Sequence, residues 1–306
     1  MTASRRVFLQ SVAAATAGAV LPGRAADAPF RLSYLLASAL YGNLPLEQVL
    51  PEVTRAGCVG LDLWGKAHAT HREEVEAMGV DRFEALLQRH RVRLVCSTRY
   101  PLGPFGLQPE MPLVQRLGGN LIVCDSRGPK NLAGAELKVA VRGFLEQMKP
   151  HADAAARHGI TLAIENHGNA LLHTPDSLRY WAEFNRHPAL GVAFAPHHLH
   201  QHVAEMPRLI RDLGAANLPF FYLQEHGIGS QKTVAKDIEL RQLPGRGTLD
   251  YRPLVRALRG IGFRGHAAIF MHPTPRGTPI LPTAAEVTAV HNEARAHLER
   301  CLRETA

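Results

Sequence analysis

Eight times along this chain, a short apolar run rich in β-branched residues gives way to a longer stretch with apolar residues spaced three and four apart. The runs are Arg31–Leu36, Cys58–Leu63, Arg93–Ser97, Leu121–Asp125, Thr161–Glu165, Gly191–Ala195, Phe220–Gln224 and Ala267–Met271. Apolar at consecutive positions, they suit strands covered on both faces, as in a parallel sheet. Leu46–Ala56 stops at Gly57, Arg82–Arg89 leads to the third run, and Ala135–Arg157 stops near Gly159. Tyr251, Leu254, Val255, Leu258 and Ile261 keep the spacing up to Gly262, and Ala284–Arg303 forms a last amphipathic helix. Eight strand–helix units predict a single α/β domain, a (β/α)8 TIM barrel. A doubly wound open sheet would call for a glycine-rich phosphate turn after the first strand, and the sequence has none there. The stretch Gly227–Gly245 lacks periodicity and reads as a lid or binding segment.

Residues 1–28 follow a different rule. Arg5-Arg6-Val7-Phe8-Leu9 precede an apolar run, Ser11–Leu21, and small residues around Ala25. A basic head, a short apolar stretch and a cleavage-like region predict an export leader ahead of a barrel over 29–306. The run is about half of the ~20 residues that a membrane span needs, so no span is expected. The paired arginines resemble a twin-arginine signal, which would send a folded protein to the periplasm or beyond; an ordinary secretory signal is the alternative. The net charge is +8, and residues 1–25 contribute Arg5, Arg6 and Arg24 to it without any acid. That balance is too mild to indicate a nucleic-acid partner. Cys58, Cys96, Cys124 and Cys301 are too few for a disulfide framework, although one bridge between neighbouring strands remains open.

In such a barrel the chemistry sits at the carboxyl ends of the strands. Those positions are polar: Asp62 and Trp64, Arg99, Asp125 and Arg127, Glu165 with Asn166 and His167, His197 with His198 and His200, Gln224 with Glu225 and His226, and His272. Eight of the 17 histidines fall between His167 and His226, against about three for uniform placement. Glu165 is the sharpest candidate. It closes an apolar run, and burying an unpaired carboxylate costs several kcal/mol unless a metal, a cation or a raised pKa relieves it. Trp64 could stack on a sugar ring or pack at the rim. Arg99 and Arg127 could bind a carboxylate or phosphate, or pair with Asp62 or Asp125. The run His197–His202 reads either as a chelating stripe or as one pocket residue followed by a solvated helix start.

Ile164-Glu165-Asn166-His167, the Gly191–His198 segment, Tyr222-Leu223-Gln224 and Pro244-Gly245-Arg246-Gly247 followed by Asp250-Tyr251 together resemble the xylose isomerase-like TIM-barrel superfamily. The resemblance implies a divalent metal held by Glu, Asp, His and Glu on strands five to eight, with proton removal next to a sugar carbonyl. Glu165 matches the first ligand, while Ala195, Gln224 and Phe270 stand at the other three. Alanine and phenylalanine offer no lone pair. His272, two residues beyond Phe270, would face the same side, and His198 matches a substrate-binding histidine of the family. A rewired metal set of Glu165, Gln224 and His272 would favour Mn, Zn or Co over Mg; a metal-free, hydrogen-bonding pocket is the other option. The family's second carboxylate falls at Leu171, so the two-carboxylate epimerase mechanism is not expected.

These features lead us to expect an exported isomerase, epimerase or lyase for a sugar or polyol derivative. Glu165 and His198 would be catalytic, and Trp64, His167, His226 and Arg127 would bind a small carbohydrate. A barrel that has lost catalysis and only binds carbohydrate is the rival. An AP endonuclease-type activity is disfavoured, because its three-zinc cluster needs more carboxylates than this mouth offers. The oligomeric state is open.

Overall fold

The computed structural model describes residues 30–306, so the leader expected over residues 1–28 lies outside the described residues. Eight parallel strands form one closed barrel: β1 (Ser33–Ala37), β2 (Gly60–Trp64), β3 (Leu94–Thr98), β4 (Leu121–Asp125), β5 (Thr161–Glu165), β6 (Leu190–Phe194), β7 (Phe220–Leu223) and β8 (His266–Ile269). They pair in chain order, and β8 closes on β1 through Ser33 and His266. No helix among the described residues is long and apolar enough to cross a membrane. All four cysteines are free.

Two stretches differ from the periodicity reading. Between β2 and β3 there are two helices, His71–Met78 and Val80–His90, where one over 82–89 is expected. Gly79, at φ +83°, makes the break in a backbone region that costs glycine little. The segment after β7 is not featureless: it carries short turns at Ile228–Ser230, Lys236–Glu239 and Leu240–Gln242. Buried Glu225 organises its end, accepting hydrogen bonds from the backbone N–H of Gly245 (3.0 Å) and Leu249 (2.8 Å). A Cβ at Gly247 would run into that carboxylate, which explains the second glycine of Pro244-Gly245-Arg246-Gly247.

The two-residue period of each strand decides what fills the hollow. On β5 and the end of β6 the inward residues are Ala163, Ala193 and Ala195; β2, β7 and the end of β8 contribute Trp64, Phe220, Tyr222 and Phe270. Large rings therefore occupy one side of the interior and alanines the other. Trp64 and Phe270 stack with centroids 4.6 Å apart and an interplanar angle of 15°.

Asp62 on β2 is fully buried in this interior. Trp64 Nε1 donates to one carboxylate oxygen at 2.6 Å and the Thr98 hydroxyl to the other at 2.8 Å. Burial raises its pKa from 3.8 to about 6, and both hydrogen bonds oppose the rise. The folded state thus holds a proton that the unfolded chain has lost between these values. Stability is greatest below the lower value, falls as pH rises to the upper one, and is flat beyond. Asp62→Asn removes this dependence, since the Thr98 hydroxyl can reverse its role. In urea unfolding the variant should gain ~2–3 kcal/mol on wild type between pH 4 and pH 7; a difference that stays constant with pH would contradict this assignment.

Candidate active site

Glu165 ends β5 two residues after inward-facing Ala163, so its carboxyl enters the barrel mouth, where it is 2% exposed. Three contacts surround it. The Tyr100 hydroxyl donates to Oε2. His198 Nε2 lies 3.7 Å and His197 Nε2 4.0 Å from Oε1. The Tyr222 hydroxyl stands 3.5 Å from that of Tyr100, which extends the polar group across to β7. Asp125, in register with Glu165 on β4, lines the same cavity with His167, His272, His68 and Arg276.

The local sequence explains how these groups meet. Asn166 is buried and bridges two strand ends: its amide donates to the Ala195 carbonyl at 3.0 Å and accepts from the Ala195 N–H at 2.8 Å. Glu165 precedes this clamp on one strand, and His197 and His198 follow it on the next. Pro196 opens the 3-10 segment Pro196–Glu205, which turns both imidazoles back over the mouth. A second brace uses Gln242, which donates to the His272 carbonyl (2.9 Å) and accepts from the His272 N–H (3.1 Å) and from Gln224 Nε2 (3.0 Å).

Burial governs the electrostatics. It raises the Glu165 carboxyl from 4.5 to about 8, against a lowering hydrogen bond from Tyr100 and with a further rise from Asp125. Burial also raises Asp125, while His167 and Arg127 lower it. His197 and His198 are held well below the usual histidine range, first by burial and then by the neighbouring imidazoles. They are neutral at pH 7, and no hydrogen bond reaches either Nε2.

The structure brings Glu165, His198, His167 and His272 together at the mouth, and the other expected residues are engaged in contacts of their own. Trp64 is 1% exposed, bonded to Asp62 and covered by Phe270, so it packs the interior and presents no free face to a sugar. Arg127 donates to the carbonyls of Tyr100 (2.7 Å) and Pro101 (3.3 Å), bracing a loop. His226 stacks on His200 at 3.6 Å in an adjoining groove with Glu225. Gln224 supports the Gln242 brace, and the inward β7 residue beside the site is Tyr222. The cluster of carboxylate and imidazole donors falls on Glu165, His197 and His198, and His272 is not part of it. The histidine run divides: His197 and His198 face the mouth, His200 the groove, and His202 pairs with Glu205 at the surface. Tyr100 and His68 are not among the expected residues, whereas Arg276 belongs to the proline-stiffened segment after β8, which the sequence points to as pocket wall and which the structure places there. Tyr100 continues the inward alternation of Cys96 and Thr98 past the strand end, a signal that was available; His68 sits in a loop without periodicity.

Residues 50–301 match the family described as xylose isomerase-like TIM barrel. The chain belongs to that family. No curated protein matches it in sequence. Among solved structures it is similar to the IolI protein with a bound zinc atom (14% identity, TM-score 0.70, 90% of this chain and 99% of that one). It is also similar to a D-psicose 3-epimerase determined with D-fructose (14%, 0.66, 89% and 99%). A third is the E. coli 3-keto-D-glucoside 4-epimerase (14%, 0.61, 87% and 100%). At such identities the likeness is one of fold.

Glu165, His197 and His198 fit a divalent metal, because their donor atoms lie within 4.8 Å of one another and both Nε2 atoms lack partners. A mixed nitrogen and oxygen set of this kind suits zinc. Zinc titration calorimetry should show one ion per chain, with affinity lowered at least tenfold by His197→Ala and by His198→Ala. Unchanged affinity in both variants would remove the site.

Proposed function

We propose that the protein is an exported isomerase of a monosaccharide-sized carbohydrate, moving a proton between carbons next to a carbonyl. The observation that carries this reading is the pair of carboxyls, Glu165 and Asp125, side by side on adjacent strands at one cavity of about 240 Å³. That volume suits a single small sugar. The carbohydrate epimerases among the similar structures support the substrate class.

Asp125 Oδ1 has no hydrogen-bond partner, and in this reading it takes the proton from one substrate carbon and returns it to the next, while the hydroxyl proton passes to the neighbouring carbonyl oxygen. Its raised proton affinity suits both steps. Tyr100 orients Glu165, and His167 holds a substrate oxygen. A divalent ion bound by Glu165, His197 and His198 would supply Lewis-acid polarisation of the carbonyl. Both carboxyls stand on one wall, which favours a shift along one face of the substrate over inversion, since inversion calls for proton carriers on both faces.

A second reading, a carbohydrate-binding barrel without turnover, is favoured by Ala195 and Phe270 at two implied ligand positions. Activity against a keto-sugar panel separates the two. Glu165→Gln should lower turnover at least ~10²-fold while leaving cooperative unfolding intact. A wild type that binds sugar but never converts it would establish the second reading. Export is testable separately: replacing Arg5 and Arg6 together by lysine should retain the protein in the cytoplasm, and continued export would exclude the twin-arginine route.

A further inference from the structure

Of three guanidinium groups around the mouth, two are engaged. Arg99 Nε lies 3.7 Å from Glu110, itself held bidentately by Arg72. Arg127 braces the carbonyls of the Tyr100 loop and lies 3.8 Å from Asp125. Arg276 differs. Among the described residues no carboxylate pairs with it; Nη2 donates to the Ser230 carbonyl at 3.2 Å and Nη1 lies 3.4 Å from His68 Nδ1. The side chain is exposed at the rim, yet it lines the same cavity as Glu165 and Asp125.

The loop that carries Arg276 is stiff. Pro273, Pro275 and Pro279 restrict its backbone. Thr274 N–H donates to Glu239 at 2.7 Å, the Thr274 hydroxyl to the Gly229 carbonyl at 2.8 Å, and Ile280 N–H to the Leu40 carbonyl at 3.0 Å. Gly42, after the turn that follows β1, lies directly against the loop: a Cβ there would overlap the Thr278 backbone. The stiff backbone fixes where the side chain starts, and the planar fork of its guanidinium matches a carboxylate or phosphate.

We infer that the substrate is an acidic sugar, whose anionic group is held by Arg276 while its carbonyl end faces Glu165 and Asp125. This rests on the sugar-isomerase reading above and adds the substrate's charge. Calorimetric titration of the purified full chain with D-fructose, D-fructuronate and D-fructose 6-phosphate tests it, because the three differ only at the terminal carbon. At low salt at least one anionic sugar should bind tenfold or more tightly than D-fructose. Arg276→Gln should lower the affinity for the preferred anionic sugar tenfold or more, to about that of D-fructose for the same variant, with the melting temperature unchanged, and Arg276→Lys should retain part of the preference. Preference for the carboxylate or for the phosphate identifies the source of the anion. Equal binding of all three, or a preference that survives Arg276→Gln, overturns the inference and leaves the sugar reading standing. No binding of any of them overturns both.

Discussion

A carboxyl buried at the end of β5 is the constraint to which the rest of the mouth answers. An isolated ionised carboxylate in such a place is too costly to persist. Glu165 avoids that cost by drawing a phenol from the loop after β3 and two imidazoles from the turn after β6, and by raising its own proton affinity. The same pressure that neutralises the acid keeps the histidines uncharged. A cluster of neutral donors and acceptors around one latent charge is suited to receive a cation or a polar ligand.

The barrel makes room for that cluster through unequal filling. Alanines on β5 and β6 leave space next to Glu165, while Trp64, Phe270, Phe220 and Tyr222 pack the other side. Two side-chain amides, Asn166 and Gln242, then fix the strand ends through paired backbone hydrogen bonds. Asn166 holds the strand ends that carry Glu165 and the histidine pair, and Gln242 holds the backbone of His272, which lines the same cavity.

Much of the fold was legible because strands buried on both faces leave uninterrupted apolar runs, and the eight runs overlap the eight strands. Glu165 was legible for the same reason, as a charge closing such a run. Strand periodicity, continued just past the strand ends, also accounts for residues that a local view misplaces. Trp64 and Phe270 both point inward and cover each other, whereas Trp64 considered by itself resembles a rim platform. On β7 the inward series is Phe220 and Tyr222, so the residue beside the site precedes Gln224 by one alternation. His226 lies past the strand, where alternation no longer governs direction, and it turns to His200. His68 comes from a loop without periodicity, and for Arg276 the prolines mark a stiff segment, while its exact path depends on distant partners such as Glu239 and Leu40.

The most direct test of the buried carboxyl is its own titration. Difference infrared or carboxyl ¹³C spectra of metal-free wild type against Glu165→Gln isolate this one group. A midpoint near 8, raised by burial, is expected; a midpoint at the ordinary 4.5 would show an acid open to bulk water and contradict the site as described.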